Sequence, residues 1–237
     1  MDNAIYATLT RQSGLMKEMQ VVANNIANTS TTGFRKEGVI FAEHVEALGN
    51  DEPSLSMALG NGREISTLQG GLTSTGNNFD FAIQGDGYFM VQTPQGDALT
   101  RAGNFVPSAE GILQNQDGYP VLDSGGGPIF IPAEGQLSVA QDGTMSVDGQ
   151  PIAQLGVYDP ADPNGMVHSG GTLFYAEGGA QVQEFPQVLQ GFVEESNVDP
   201  ITEVARMIEV QRAYEMGQKF LDREDERIRN VISTLTK

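Results

Sequence analysis

Met1 to Phe34 reads MDNAIYATLTRQSGLMKEMQVVANNIANTSTTGF. Stepped in alternating fours and threes, it places Ile5, Leu9, Gln12, Met16, Met19, Ala23 and Ile26 in one line, with Gln12 the single polar member. That spacing is a heptad seam, one apolar stripe along a helix. Leu15 and Val22 begin a second stripe beside it. The far end of the chain repeats the pattern. From Asp199 to Lys237, the residues Met207, Val210, Tyr214, Gly217, Leu221, Glu224, Ile228, Val231 and Leu235 keep the alternation, with Gly217 and Glu224 as weak points.

Neither helix stands alone. Burying the apolar seam residues of the first contributes roughly 1.5–3 kcal/mol each. Ordering its backbone costs on the order of 1–2 kcal/mol for every residue, only partly offset by helical hydrogen bonds. Each helix needs a partner. Two candidates fit: the other terminal helix, in a hairpin within one chain, or neighbouring copies in an assembly.

The first helix is expected to stop near Asn28, where Asn28-Thr29-Ser30-Thr31-Thr32-Gly33 combines β-branched residues, short polar side chains that compete for backbone groups, and a glycine. The last has a clear start: Asp199 can accept from first-turn amides, Pro200 suits the first helical position, and Glu203 adds negative charge near the positive helix end. Between them, Phe41, Val45 and Leu48 have helical spacing but are bracketed by Gly38 and Gly49, which predicts a short helix or an irregular arm. Residues 49–63 read as a loop and 64–74 as extended. From Asn78 the texture changes to short apolar runs with turn punctuation. Phe79, Phe81 and Ile83 alternate with Asp80 and Ala82, and Asp142-Gly143 sits between two strand-like runs as a hairpin signal. The fold expected is α+β: terminal helices 1–34 and 199–237 packed as a coiled-coil-like pair, extended arms 35–77 and 186–198, and a central all-β domain 78–185.

Net charge is −18, and no Lys or Arg lies between Arg101 and Arg206. A middle section charged only with acids repels phosphate backbones, so nucleic acid is not an expected partner. There is no cysteine, which excludes disulfides and thiolate chemistry. Residues 1–10 lack a basic n-region and a continuous apolar core, so no cleaved leader is expected, and no run approaches a bilayer-spanning length. An enzyme needs a constellation, and the candidates are thin. His44 and His168 have no metal-ligand spacing. His168-Ser169 is not a triad by adjacency. Gly125-Gly126-Gly127 lacks the helix and the lysine of a P-loop, and Asp159 with Asp162 reads as a solvated turn. No cofactor, metal or catalytic residue is expected.

Ala23 to Arg35, ANNIANTSTTGFR, closely resembles the N-terminal signature of bacterial flagellar axial proteins of the rod and hook, and the opening MDNAIY is most similar to the proximal-rod members. GFVEESNVD, Gly191 to Asp199, and the string Gln211-Arg212-Ala213-Tyr214 resemble the same family's C-terminal pattern. The signature positions carried over are Asn24, Asn25, Asn28, Gly33, Phe34, Gln211, Arg212 and Ala213. The resemblance implies a non-enzymatic structural subunit of the basal-body rod, with the terminal helices as the inner layer of a torque-transmitting shaft. It implies Ile5, Leu9, Met16, Met19, Ala23, Ile26, Met207, Val210, Tyr214, Leu221, Ile228, Val231 and Leu235 as assembly contacts. Partners would be copies of itself, other rod subunits and the flagellar type III export apparatus, with no membrane insertion. The setting would be the basal body spanning the periplasm. A distal-rod subunit is the alternative within the family. A periplasmic glycan-binding or hydrolytic β domain on a helical oligomerisation stalk is the alternative from another class.

Overall fold

The computed structural model describes residues 2–46 and 55–235. By contacts the chain falls into a helical unit, residues 1–27, 37–64 and 199–237, and a β unit, residues 28–36 and 65–198.

In the helical unit, α1 (Asp2–Ala27) and α2 (Pro200–Leu235) pack side by side. They run antiparallel, since Gln12 reaches Tyr214, Glu18 reaches Arg206 and Asn25 reaches Glu203. The ends fall where the caps put them. Asp199 Oδ1 accepts from Ile201 N at 3.0 Å and its Oδ2 from the Thr202 hydroxyl at 2.8 Å. The Asn28 carbonyl receives Thr31 N just beyond α1. Strands Glu37–Glu46 and Leu55–Ile65 form a two-stranded ribbon. This corrects the reading of Phe41 and Val45 as helical and of 55–63 as loop; Leu48 and 49–54 lie outside the described residues. Leu55, Met57 and Leu59 alternate with a period of two, and that was the signal for a strand.

The β unit is built on a six-stranded antiparallel sheet. Its spatial order is Met166–Gly170, Leu173–Ala176, Gly96–Thr100, Tyr88–Thr93, Val157–Pro160 and Ala180–Val182. The run Tyr88-Phe89-Met90-Val91 is continuously apolar because both faces of this sheet are covered. Phe89 and Val91 join the larger core with Phe81, Phe105 and Met145, while Tyr88 packs with Leu99, Tyr158 and Phe174. A three-stranded sheet, in order Gln150–Gln154, Thr144–Val147 and Leu137–Val139, carries the expected Asp142-Gly143 hairpin, with Met145 opposite Val139 and Gly143 at φ +84°. Three strand pairs complete the unit: Phe81–Ile83 with Val188–Gln190, Leu72–Ser74 with Phe192–Glu194, and Val106–Pro107 with Leu113–Gln114.

The hairpin has a pH signature. Hydrogen bonds from the backbone and hydroxyl of Thr144 hold the Asp142 carboxyl below its ordinary value. A carboxylate depressed by folding supports the fold above its unfolded pKa, and that support is lost as pH falls through the lower, folded value. Acid titration followed by NMR of Thr144 should show its amide losing protection together with Asp142 protonation, and Asp142→Asn should remove the dependence.

Candidate assembly surface and its buried fastenings

The helix pair buries polar as well as apolar residues, and it leaves several large apolar ones exposed among its charged residues. On α1 the inward stripe is Leu15, Glu18, Val22 and Asn25, all buried together with Gln12, whereas Leu9, Met16 and Ala23 face out. Ile5, Met19 and Ile26 are half-buried. The heptad period of α1 is therefore right, and its second stripe, Leu15 and Val22, is the one turned toward α2. On α2 the seam does face α1: Val210 is buried, and Met207, Tyr214 and Leu221 are half-buried. Ile228, Val231 and Leu235, further along the same line, are exposed. Outside that line, Ile201 is 81 % exposed and Met216 64 %.

The polar residues between the helices each have a defined job. Glu18 accepts from Arg206 Nε at 2.7 Å, a hydrogen bond that raises the Arg206 guanidinium above its ordinary value. Glu203 Oε2 accepts from Asn25 Nδ2 at 3.1 Å. The polar member of the first seam and the glycine of the second explain one another. Gln12 lies where Gly217 has no side chain, a Cβ on Gly217 would fall 2.3 Å from Gln12 Nε2, and that amide donates to the Tyr214 carbonyl at 2.9 Å.

Signature residues fasten the chain to itself. In the helical unit, buried Asn25 donates to the Glu37 carbonyl at 2.8 Å and accepts from Glu37 N at 3.0 Å, as a strand neighbour would. Asn25→Ala leaves that buried N–H and C=O without these partners, which costs about 1–3 kcal/mol per group. A lowered thermal midpoint and faster amide exchange at Glu37 should follow, while Asn24→Ala, at a half-buried position, should be mild.

In the β unit, Gly33 (φ +69°) and Phe34 are buried, and the Phe34 and His168 rings stand nearly perpendicular at a centroid distance of 6.2 Å. Beside them Arg35, Arg101 and Glu194 form a buried charge cluster. Arg35 Nη2 lies 3.0 Å from Glu194 Oε1, and Arg101 Nη1 donates to Glu194 Oε2 at 3.1 Å. Two cations share one anion, so carbonyl groups take the surplus: Thr67 and Leu68 receive Arg35, and Gly85 receives Arg101 Nη2 at 2.6 Å. Gly70 N also donates to Glu194 Oε1, at 3.0 Å. Burial pushes the Arg101 guanidinium below its ordinary value while Glu194 draws it back up, and the Tyr88 ring lies 5.2 Å from that guanidinium. Asn197 completes the fastening by accepting from Lys36 N and donating to the Leu68 carbonyl. Arg35, Glu194 and Asn197 lie inside the two signature strings, but the sequence did not pair them with one another or with Arg101, because these residues are far apart along the chain.

The remaining signature positions are less enclosed. Asn24, Asn28 and Ala213 are half-buried, and Gln211 and Arg212 are exposed. The residues considered for catalysis are engaged otherwise. His168 Nε2 contacts the Gly171 carbonyl at 2.8 Å, and Asp162 caps a short 3₁₀ turn through Asn164 N. Asp123 receives Gly125 N and Gly127 N, closing the triple-glycine turn. The side chain of His44 lies outside the described residues. Among the described residues no group of His, Asp and Glu is arranged to hold a metal, and no helix is long and apolar enough to cross a membrane.

The class this fold defines is a β unit together with a pair of terminal helices that leave large apolar residues exposed. Three family models match such parts in turn: the flagella basal body rod protein at residues 5–35, the flagellar hook protein FlgE/F/G D1 domain at 82–147, and the flagellar basal body rod FlgEFG protein C-terminal region at 189–234. The chain is 38 % identical to the flagellar basal-body rod protein FlgF of Caulobacter vibrioides, covering 100 % of this chain and 99 % of that protein. It is 39 % identical to FlgF of Mesorhizobium japonicum, covering 91 % and 90 %, and 31 % identical to the rod protein FlgG of Bacillus subtilis, covering 97 % and 98 %. The chain belongs to the flagellar basal-body rod protein family.

Proposed function

We propose that this chain is a non-enzymatic structural subunit of the flagellar rod, in its proximal part, and that it polymerises through the outward faces of α1 and α2. The observation that carries this is the set of large apolar residues left exposed on the helix pair, Leu9, Met16, Ile201, Ile208, Met216 and Ile228 among them. Apolar side chains exposed in such number along two helices mark a surface that a partner covers. Higher identity to the FlgF relatives than to the FlgG relative supports the proximal position over the distal one. The same reading makes residues 1–34 and 199–237 the assembly module and 78–185 a separate β domain. Copies of itself and other rod subunits are then its partners, and the periplasm-spanning basal body its site. Travel there through the flagellar export apparatus belongs to it as well.

Tyr214 is a poor residue with which to test this, because its carbonyl holds Gln12 and its ring is half-buried within the chain. Met16 is better, at 43 % exposed. Met16→Asp should change the unfolding free energy of the free chain by no more than about 0.5 kcal/mol, as surface substitutions do. Covered by a neighbour, the same aspartate becomes a desolvated charge in an apolar contact, costing several kcal/mol. The expected result is normal folding, no incorporation into basal bodies and no swimming. A motile Met16→Asp strain would count against the reading.

A further inference from the structure

We propose that a groove on the β unit receives an arginine side chain from another protein, its aliphatic stem on the sheet and its guanidinium on Asp97. The groove has a volume of about 370 Å³ and lies on one face of the six-stranded sheet. Strand alternation puts it there. In Gly96–Thr100, Ala98 belongs to the larger core, so Asp97 and Leu99 share the opposite face. Met90 stands across from Leu99 and Tyr158 across from Val182, which extends the floor over the neighbouring strands. The wall is the turn Ser124-Gly125-Gly126. That turn is held firmly: Asp123 Oδ1 accepts from Gly125 N at 2.9 Å and Gly127 N at 2.8 Å, and the Asp123 carbonyl accepts from the Tyr158 hydroxyl. Room comes from missing side chains. Gly126 and Gly179 border the groove, and a Cβ built on either would meet nothing within 4 Å.

The occupant follows from charge. The floor is apolar, and Asp97 on its rim is exposed and makes no ion pair among the described residues. Burial first, then the charges of Asp123 and Asp97, raise the Tyr158 hydroxyl above its ordinary value, so the negative potential reaches the floor. An apolar floor with an anion at its edge matches a long aliphatic side chain that ends in a cation. Arginine suits it, because the planar guanidinium can give a carboxylate two parallel hydrogen bonds. The β unit cannot supply that group itself. Its arginines are Arg35 and Arg101, both buried against Glu194, and no Lys or Arg lies between Arg101 and Arg206. A second β unit has no exposed arginine to offer either, and two acidic units repel one another. The partner is therefore a different protein with a basic surface, and this contact does not depend on how the helices assemble.

The probe is the blocked tripeptide Ala-Arg-Ala, titrated into isotope-labelled full-length protein and followed by NMR at the amides of Gly125, Gly126 and Gly179. Saturable shifts at these glycines are expected. The same tripeptide with norleucine in place of arginine should shift nothing. Asp97→Asn removes an exposed charge and should leave folding unchanged, while weakening arginine binding about tenfold. Ala180→Phe fills the groove with Asp97 in place and should abolish binding. No shifts, or equal shifts with both peptides, would overturn the proposal. Undiminished binding by Asp97→Asn would place the arginine elsewhere on the acidic surface and would overturn it as well. Shifts caused by an N-acetylglucosamine oligomer but not by the peptide would make the groove a glycan site instead. Self-association of the unliganded chain that Asp97→Asn abolishes would seat a second copy there and overturn the choice of partner.

Discussion

Glu194→Gln should lower the thermal midpoint of the β unit by on the order of 10 °C. The carboxylate is 1 % exposed and is the shared counter-ion of two guanidiniums exposed no more than 2 %. Removing one partner of a buried ion pair costs roughly 3–5 kcal/mol, because the charge left behind has lost its solvent and gained nothing. Here two charges are left behind. In a unit of this size each kcal/mol moves the midpoint roughly 2–4 °C. Arg35→Met should be less damaging, since it leaves Arg101 and Glu194 balanced. Added salt should not rescue Glu194→Gln, because buried charges are poorly screened. Differential scanning calorimetry decides it, and a shift under about 2 °C would show that the cluster does not hold the unit together.

Gly33→Ala should be comparably severe, for a backbone reason. The residue sits at φ +69°, where any Cβ costs about 1–2 kcal/mol. The added atom would also fall 2.2 Å from Ala102 N and 2.3 Å from the Arg101 carbonyl carbon, which are backbone atoms with no rotamer to move. Relief requires residues 28–36 to lift away. That movement breaks the bond from Gly33 N to the Glu194 carbonyl at 2.7 Å and displaces Arg35 beside it. Limited proteolysis should find a new cleavage site just after α1, at protease concentrations that leave the parent chain whole. Unchanged resistance would mean that the turn has room the structure does not show.

The elements with local causes were legible in the sequence. Asp199-Pro200 marked the start of α2, the polar run after Ala27 marked the end of α1, and Asp142-Gly143 marked its hairpin, because capping and turn chemistry act over a few residues. Periodicity placed the stripes of α1 but not their direction. Leu9-Met16-Ala23 and Leu15-Val22 are equally helical, and only the partner decides which turns inward. The ribbon strand 37–46 was obscured because Phe41, Val45 and Leu48 share a helical interval, while the better clue lay across the ribbon at Leu55, Met57 and Leu59. The signature string announced a family without saying what its residues do. Asn25, Gly33 and Arg35 act on Glu37, Ala102 and Glu194, partners that only the folded chain brings near. Gln12 and Gly217 looked like two defects until their contact showed each filling the other's gap.

The most direct test of the central claim, that the outward stripe of α1 is covered in the rod, is thiol labelling of full-length Met16→Cys. The chain's own lack of cysteine makes that thiol its single reporter. The free protein should label rapidly, as a half-exposed side chain does, and the same protein in isolated basal bodies should be protected until the rod is dissociated. Equal labelling in the free chain and in intact basal bodies would contradict the account, since Met16 would then face solvent in the assembled shaft.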